Sequence, residues 1–172
     1  MTTPALGDGR LVLEPLRVDH AAELVDVLSD AGLYAFTGGS PPGRDELERR
    51  YERQVAGSGD PDEVWHTWVV RLGDGGPAVG YVQATVRPAA GSAELAWVVG
   101  ARWQGRGIAR EAAGLVLDHV WAGGARRVVA HVHPDHVASQ RVASRLGLAA
   151  TDRLVDGEVE WVLERPGHAG GW

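Results

Sequence analysis

The chain has no cysteine, no lysine, one methionine and one phenylalanine. The first absence excludes disulfide frameworks, thiolate zinc sites and cysteine nucleophiles, and is compatible with a reducing compartment. The second excludes Schiff-base chemistry and the lysine of a nucleotide phosphate loop, since all seventeen basic residues are arginine. No apolar run approaches the roughly 18 residues of a membrane span. The N-terminal MTTPALGDGR has neither a basic region nor an apolar core for export, so a cytoplasmic location is expected. Positive charge is scarce: twenty-three acidic residues against seventeen basic leave a net charge of −6. That balance argues against a general nucleic-acid binder, and neither nucleic acid nor membrane is an expected partner.

The 172 residues, 44% of them hydrophobic, suit one compact domain. A chain of this length buries roughly 70% of its unfolded surface without metal or disulfide help. Gly and Pro clusters punctuate it at 38–43, 57–62, 73–77, 87–92 and 166–172. None is long enough to separate domains, so a single domain over 1–166 with a short tail, 167–172, is expected. Between the breaks, Arg10 to Leu13 alternates as a strand, and helical spacing marks Asp19 to Leu28 and Arg44 to Val55. Three β-type runs follow at 65–72, 78–87 and 92–99, reading as an antiparallel meander. Gly107 to Trp121 is the best amphipathic helix, and Arg127 to Val132 a buried-type strand. Asp135 to Leu146 reads as a helix with Asp135 as N-cap and Gly147 as C′ residue, and two strands close the chain around Asp156-Gly157. The predicted class is α/β (α+β), in the order β-αα-βββ-α-β-α-ββ. The helical crossover into Arg127 to Val132 implies one parallel pair in a mostly antiparallel sheet of about seven strands.

The segment carrying chemistry runs from Trp97 to Arg110, a strand leading through a Gly-containing loop into the strongest helix. Such a junction leaves backbone N–H groups unpaired, and the helix dipole adds partial positive charge where they converge. It is built to hold an anion. Gly105 and Gly107 keep side chains out of the way, while Arg102, Arg106 and Arg110 add cations with no acid before Glu111. A nucleotide phosphate loop needs lysine and a dinucleotide fingerprint needs glycine at 110, so neither fits. The run Gln104-Gly105-Arg106-Gly107-Ile108-Ala109 has instead the form Q-x-x-G-x-A.

That pattern resembles the acetyl-CoA pyrophosphate loop of the GNAT superfamily of N-acetyltransferases. A second run, Val137 to Leu148, resembles the family's N-x-x-S-x-R-V-x-x-K-L-G-F helix. Together with the element order, the resemblance covers nearly the whole chain, and is greatest to the branch of ribosomal-protein N-terminal acetyltransferases, which also contains small-molecule enzymes. It implies a GNAT-like sheet with helices on both faces, acetyl-CoA as cosubstrate and no metal. Val98 and Val99 would pair with the pantetheine arm, and Gln104, Gly105, Arg106, Gly107, Ile108, Ala109 and Arg110 would hold the pyrophosphate. His136, where the family usually has Asn, and Ser139 would flank the arm near the thioester, with Ser139 a candidate catalytic residue. Leu148 replaces the usual final Phe, and the tyrosine acid of some members would fall at Ala143, leaving that role vacant.

Glu94 stands where members of the family often carry a base. It shares a strand face with Ala96 and Val98, an apolar neighbourhood. The base it needs to be depends on the acceptor: an α-amine is roughly a quarter neutral near neutral pH, a lysine side chain about 0.1%. The plain alternatives are an arginine ion pair for Glu94 and a backbone hydrogen bond for Ser139. His131 and His133 share a strand face without a further convergent ligand, and are read as strand-end residues rather than a metal site. Trp65 or Trp68 is a candidate lining for the acceptor pocket, Trp103 a support beneath the loop, and Asp45 to Arg53 a solvated helix face. The expected activity is acetyl transfer to a primary amine, on a protein N-terminus or a small molecule. A catalytically silent acyl-CoA-binding sensor or scaffold is the alternative, and a homodimer through the C-terminal strands is allowed for.

Overall fold

A computed structural model describes residues 2–165; the tail expected at 167–172 lies outside them. The elements are β1 (Leu6–Gly7), β2 (Leu11–Pro15), α1 (Ala21–Val27), α2 (Arg44–Ala56), β3 (Val64–Leu72), β4 (Ala78–Arg87) and β5 (Ser92–Val99), then α3 (Ile108–Ala122), β6 (Arg127–Val132), α4 (Val137–Arg145), β7 (Ala149–Val155) and β8 (Glu158–Glu164). They form one sheet in the order β1-β2-β3-β4-β5-β6-β8-β7. The expected order holds, with the two-residue β1 added ahead of it. β5 and β6 are parallel and every other pairing is antiparallel, as the crossover through α3 requires.

Helices cover both faces because strand residues alternate. Leu11, Leu13, Trp68, Ala93, Leu95 and Val99 bury one face against Ile108, Ala112 and Val116 of α3. Val69, Ala78, Tyr81 and Val98 turn the other way and pack on Leu24 of α1 and Leu47 and Tyr51 of α2. The charged run on α2 is solvated apart from Leu47 and Tyr51, with Arg44–Glu48 and Arg50–Glu46 pairs along it. α4 seats Ala143 against Ala130 and Leu148. Its start corrects the predicted cap: His136, not Asp135, occupies the N-cap position and no side chain caps it. Asp135 belongs to the preceding turn, its N–H donating to His133 Nδ1 at 3.1 Å. The C-terminal end is as predicted, with Gly147 at φ +94°, and Asp156-Gly157 forms the β7–β8 turn with both residues at positive φ. β7 is an outer edge of the sheet, so one of the strands considered for pairing with a second copy does offer an edge.

An ion cluster ties β2, β3 and α1 together. Arg71 donates from Nε to Glu14 at 2.6 Å and from Nη1 to Glu23 at 3.0 Å, while Arg17 bonds the other oxygen of Glu14. Arg71, opposed by burial and assisted by Arg17, holds the Glu14 carboxyl down to about 2. The folded value lies below the unfolded one, so the stability that Glu14 contributes is present above about 4.5 and is lost as pH falls toward 2. In urea unfolding followed across that window, wild type should lose more stability than Glu14→Gln. Parallel losses would show that the cluster does not depend on the charge of Glu14.

Candidate functional site

The parallel β5–β6 ladder is short. It pairs Ser92 with Arg127, Ala93 with Val128 and Glu94 with Val129, and then stops. Beyond it, β5 continues to Val99 bonded only to β4, and β6 to Val132 bonded only to β8. The facing edges therefore part. Which residues turn peptide groups into the gap follows from alternation. Gly91 O accepts from Arg127 N on the β6 side at 3.2 Å, and Gly100 N donates to Val79 O on the β4 side at 2.8 Å. Odd-numbered residues of β5 thus face the gap, and Trp97 and Val99 lie there past the end of the ladder. Val98, expected to share this role with Val99, directs its peptide groups to β4, where it pairs with Tyr81.

The gap opens toward the loop ahead of α3. Gln104 Nε2 donates to Val99 O at 3.0 Å, so its side chain anchors the loop to the end of β5. Gly105 and Gly107 adopt φ +76° and +77°, with open space where a Cβ would stand. No side chain caps α3 at Gly107, and the first helical amide bonded within the helix is that of Glu111. The N–H groups of Ile108, Ala109 and Arg110 are left at the positive end of the helix dipole. Arg102, Arg106 and Arg110 are exposed around them. Trp103 packs beneath the loop, as expected, between the two main core clusters. Arg10 reaches in from the start of β2, donating from Nη2 to Arg106 O at 2.9 Å and pairing with Glu111. That bond occupies a carbonyl whose partial negative charge would otherwise oppose an anion at the loop. The residues present fit a pyrophosphate: amides, arginines and an uncluttered Gly-Arg-Gly turn.

At the closed end of the gap, Glu94 presents its side chain on the α1/α2 face together with Ala96 and Val98, 36% exposed. Two structural facts there were not read from the sequence. His131, diagonal to Glu94 across the ladder, places Nδ1 2.9 Å from Glu94 Oε1. Arg87 brings Nη1 to 3.8 Å from Glu94 Oε2 while holding Glu63 at 2.8 Å. The arginine partner considered for Glu94 is therefore real but distant. Pairing parity supplies the missed signal for His131: once β5 and β6 are aligned in parallel, 94, 129 and 131 share a face.

The start of α4 lies on the other side of the opening. His136 and Ser139 are half-buried, and no hydrogen bond of the Ser139 hydroxyl is seen among the described residues. Phe36, from the α1–α2 connection, stacks on His136 with ring centroids 4.6 Å apart and tilts against His133 at 5.3 Å. Burial first, then the charge of His133, holds His136 below the ordinary histidine range. Trp65 is 38% exposed on the Glu94 face, its Nε1 donating to Glu63 at 2.6 Å. Trp68 faces α3, fully buried, and donates to Pro4 O at 2.6 Å, so of the two only Trp65 is placed to line an acceptor.

A family model described as an acetyltransferase (GNAT) domain matches residues 10–149. No curated protein matches by sequence. Among solved structures, a GNAT-family acetyltransferase from Bacillus anthracis is similar with a TM-score of 0.78 and 15% identity, over 94% of this chain and 98% of that one. RimL, a ribosomal L7/L12 alpha-N-protein acetyltransferase in complex with coenzyme A, gives 0.77 and 14% over 94% and 98%. The microcin C7 self-immunity acetyltransferase MccE, in complex with acetyl-CoA and AMP, gives 0.76 and 14% over 92% and 94%. At these identities the likeness is one of fold. Replacing Gln104 by Ala should release Val99 O and cost about 1 kcal/mol in denaturant unfolding; an unchanged midpoint would mean the amide does not anchor the loop.

Proposed function

The chain belongs to the GNAT acetyltransferase family, and from that premise we propose that it transfers an acetyl group from acetyl-CoA to a primary amine by direct attack within a ternary complex. The observation that carries this reading is the parting of β5 from β6 between an anion-binding loop and Glu94. From Val99 to Glu94 the open edge runs about 16 Å at a strand's rise per residue. An extended amide-bearing arm lying along it would find the peptide groups of Trp97 and Val99 unpaired by β6, as a further strand would. Gln104 to Arg110 would hold the pyrophosphate at one end, and His136 and Ser139 would flank the arm from α4. Acetyl-CoA, when bound, supplies a thioester carbonyl open to nucleophilic attack.

The protein's own part is to bind, orient and move a proton. An ammonium cannot attack until it has lost a proton, and Glu94 Oε2 is the acceptor offered on the face where the acceptor arrives. Of the two N–H groups left unpaired by β6, that of Trp97, the one nearer Glu94, would face the charge that develops on the carbonyl oxygen. Ser139 is the hydroxyl available to the departing thiolate, because Ala143, at the position of the family's tyrosine acid, is fully buried and carries no proton donor. The acceptor is an amine on a protein N-terminus or a small molecule. RimL's alpha-N-protein activity supports the former, and MccE, a microcin C7 self-immunity acetyltransferase whose complex also holds AMP, supports the latter. The exposed indole of Trp65 and the carboxylates of Glu63 and Glu94 suit a cationic acceptor. No helix of the described residues is long and apolar enough to cross a membrane, and the assignment to the cytoplasm is part of this proposal.

The competing reading is acyl-CoA binding without turnover, and it draws on the missing tyrosine at 143. Thiol release with a panel of amines and short peptides separates the two. Glu94→Gln should lower turnover by roughly 10²-fold or more while leaving calorimetric acetyl-CoA binding intact; unchanged turnover would remove Glu94 as the base. Gly107→Val, which crowds the amides and strains a positive-φ position, should abolish binding. Retained affinity would overturn the loop assignment.

A further inference from the structure

We infer that His131 is a positioning residue for the acetyl-transfer reaction, holding the carboxylate of Glu94 in place and tying it to Glu160 on β8. The inference rests on the proposed transfer activity and adds to it a residue that no motif marks.

Three strands contribute one row of side chains on the α1/α2 face. Glu94 comes from β5, His131 from β6 and Glu160 from β8, where it stands directly opposite His131 in the antiparallel register. His131 Nδ1 lies 2.9 Å from Glu94 Oε1, and Nε2 lies 3.8 Å from Glu160 Oε2. The ring is 17% exposed and its Nε2 is fully buried without a hydrogen-bond partner. Both ring nitrogens thus face groups that, when ionised, only accept. A neutral imidazole can donate to one of them, and a protonated one to both. Glu160 is itself steadied by Arg127 at 3.2 Å and Arg153 at 3.6 Å. Arg87 is the only arginine paired with Glu94 among the described residues, and its shorter bond goes to Glu63.

This arrangement is poorly explained by stability alone. A partly exposed His–Glu pair contributes little, and a buried nitrogen without a partner costs free energy. Val129, two residues earlier on the same face, shows that the strand accommodates an apolar residue there. What the row does achieve is to fix one oxygen of Glu94. Oε1 is held by the imidazole, and Oε2 is left to take the proton from the incoming amine: the N–H bond breaks, an O–H bond forms on Glu94, and the ring keeps its own proton. An unrestrained glutamate at the same site would have to be frozen in each turnover.

The test measures thiol release and acetyl-CoA affinity for His131→Leu, His131→Asn, Glu94→Gln and the double variant Glu94→Gln/His131→Leu, with thermal unfolding of each. His131→Leu should lower kcat about tenfold or more with acetyl-CoA binding unchanged. His131→Asn, whose amide can donate from near the Nδ1 position, should recover most of that loss. In the Glu94→Gln background the leucine should cost less than about twofold, because its effect runs through the missing carboxylate. Full turnover in His131→Leu, equal impairment of the leucine and asparagine variants, or additive losses in the double variant would each overturn the inference while leaving acetyl transfer standing. Undiminished turnover in Glu94→Gln would overturn it together with the base assignment. Absence of thiol release from wild type with every amine would overturn the transfer reading and this inference with it.

Discussion

The parallel pairing of β5 with β6 ends at Glu94 and Val129, and the rest of the site depends on where it ends. Were the ladder to continue to Val99 and beyond, the edge carrying Trp97 and Val99 would be satisfied by β6 and closed to any extended ligand. Were it absent, nothing would bring Glu94 beside His131. Both strands can afford to part because each keeps an antiparallel neighbour on its outer side, so the sheet stays continuous at its flanks while it opens in the middle. Burying the odd-numbered residues of β5 under α3 keeps that open edge rigid rather than frayed.

Charge is distributed to match. The protein as a whole is acidic, with a net charge of −6. Yet the loop ahead of α3 gathers Arg102, Arg106 and Arg110, with Arg10 bracing the backbone from β2. At the other end of the gap the sign reverses, with Glu63, Glu94 and Glu160 linked across the sheet through Arg87 and His131 and partly countered by Arg87, Arg127 and Arg153. On the proposed reading one end takes an anion and the other an ammonium group, and the separation would keep the two ligands from competing.

Much of the fold was legible in the sequence because each helix and strand carries its own local signal. The Gly-rich junction before Ile108, the Asp156-Gly157 hairpin and the Gly147 helix end are fixed by backbone chemistry within a few residues. The two-residue β1 carries too little pattern to be seen. The cap of α4 was misread because Asp135 is a good N-cap residue in isolation, whereas the structure places its backbone N–H on His133. For the site, the same distinction applies. The phosphate-type loop is a continuous motif, and it was readable. Arg10 reaches the loop, and His131, Glu160 and Arg87 reach the surroundings of Glu94, from four separate strands or strand ends, so their placement depends on register, which no single segment encodes. Val98 shows the limit most clearly: its neighbour Val99 faces the gap and it does not, a difference decided by a one-residue parity that only the pairing with β4 fixes.

On the proposed reading, the open edge of β5 is the seat of the acyl-carrier arm. The most direct measurement is residue-resolved amide hydrogen exchange of the protein with and without acetyl-CoA. The Val99 and Trp97 amides should gain protection on binding together with Ile108, Ala109 and Arg110, while Val98, already paired to β4, changes little. Protection confined to other surfaces, or saturating acetyl-CoA with no change at Trp97 and Val99, would contradict that reading.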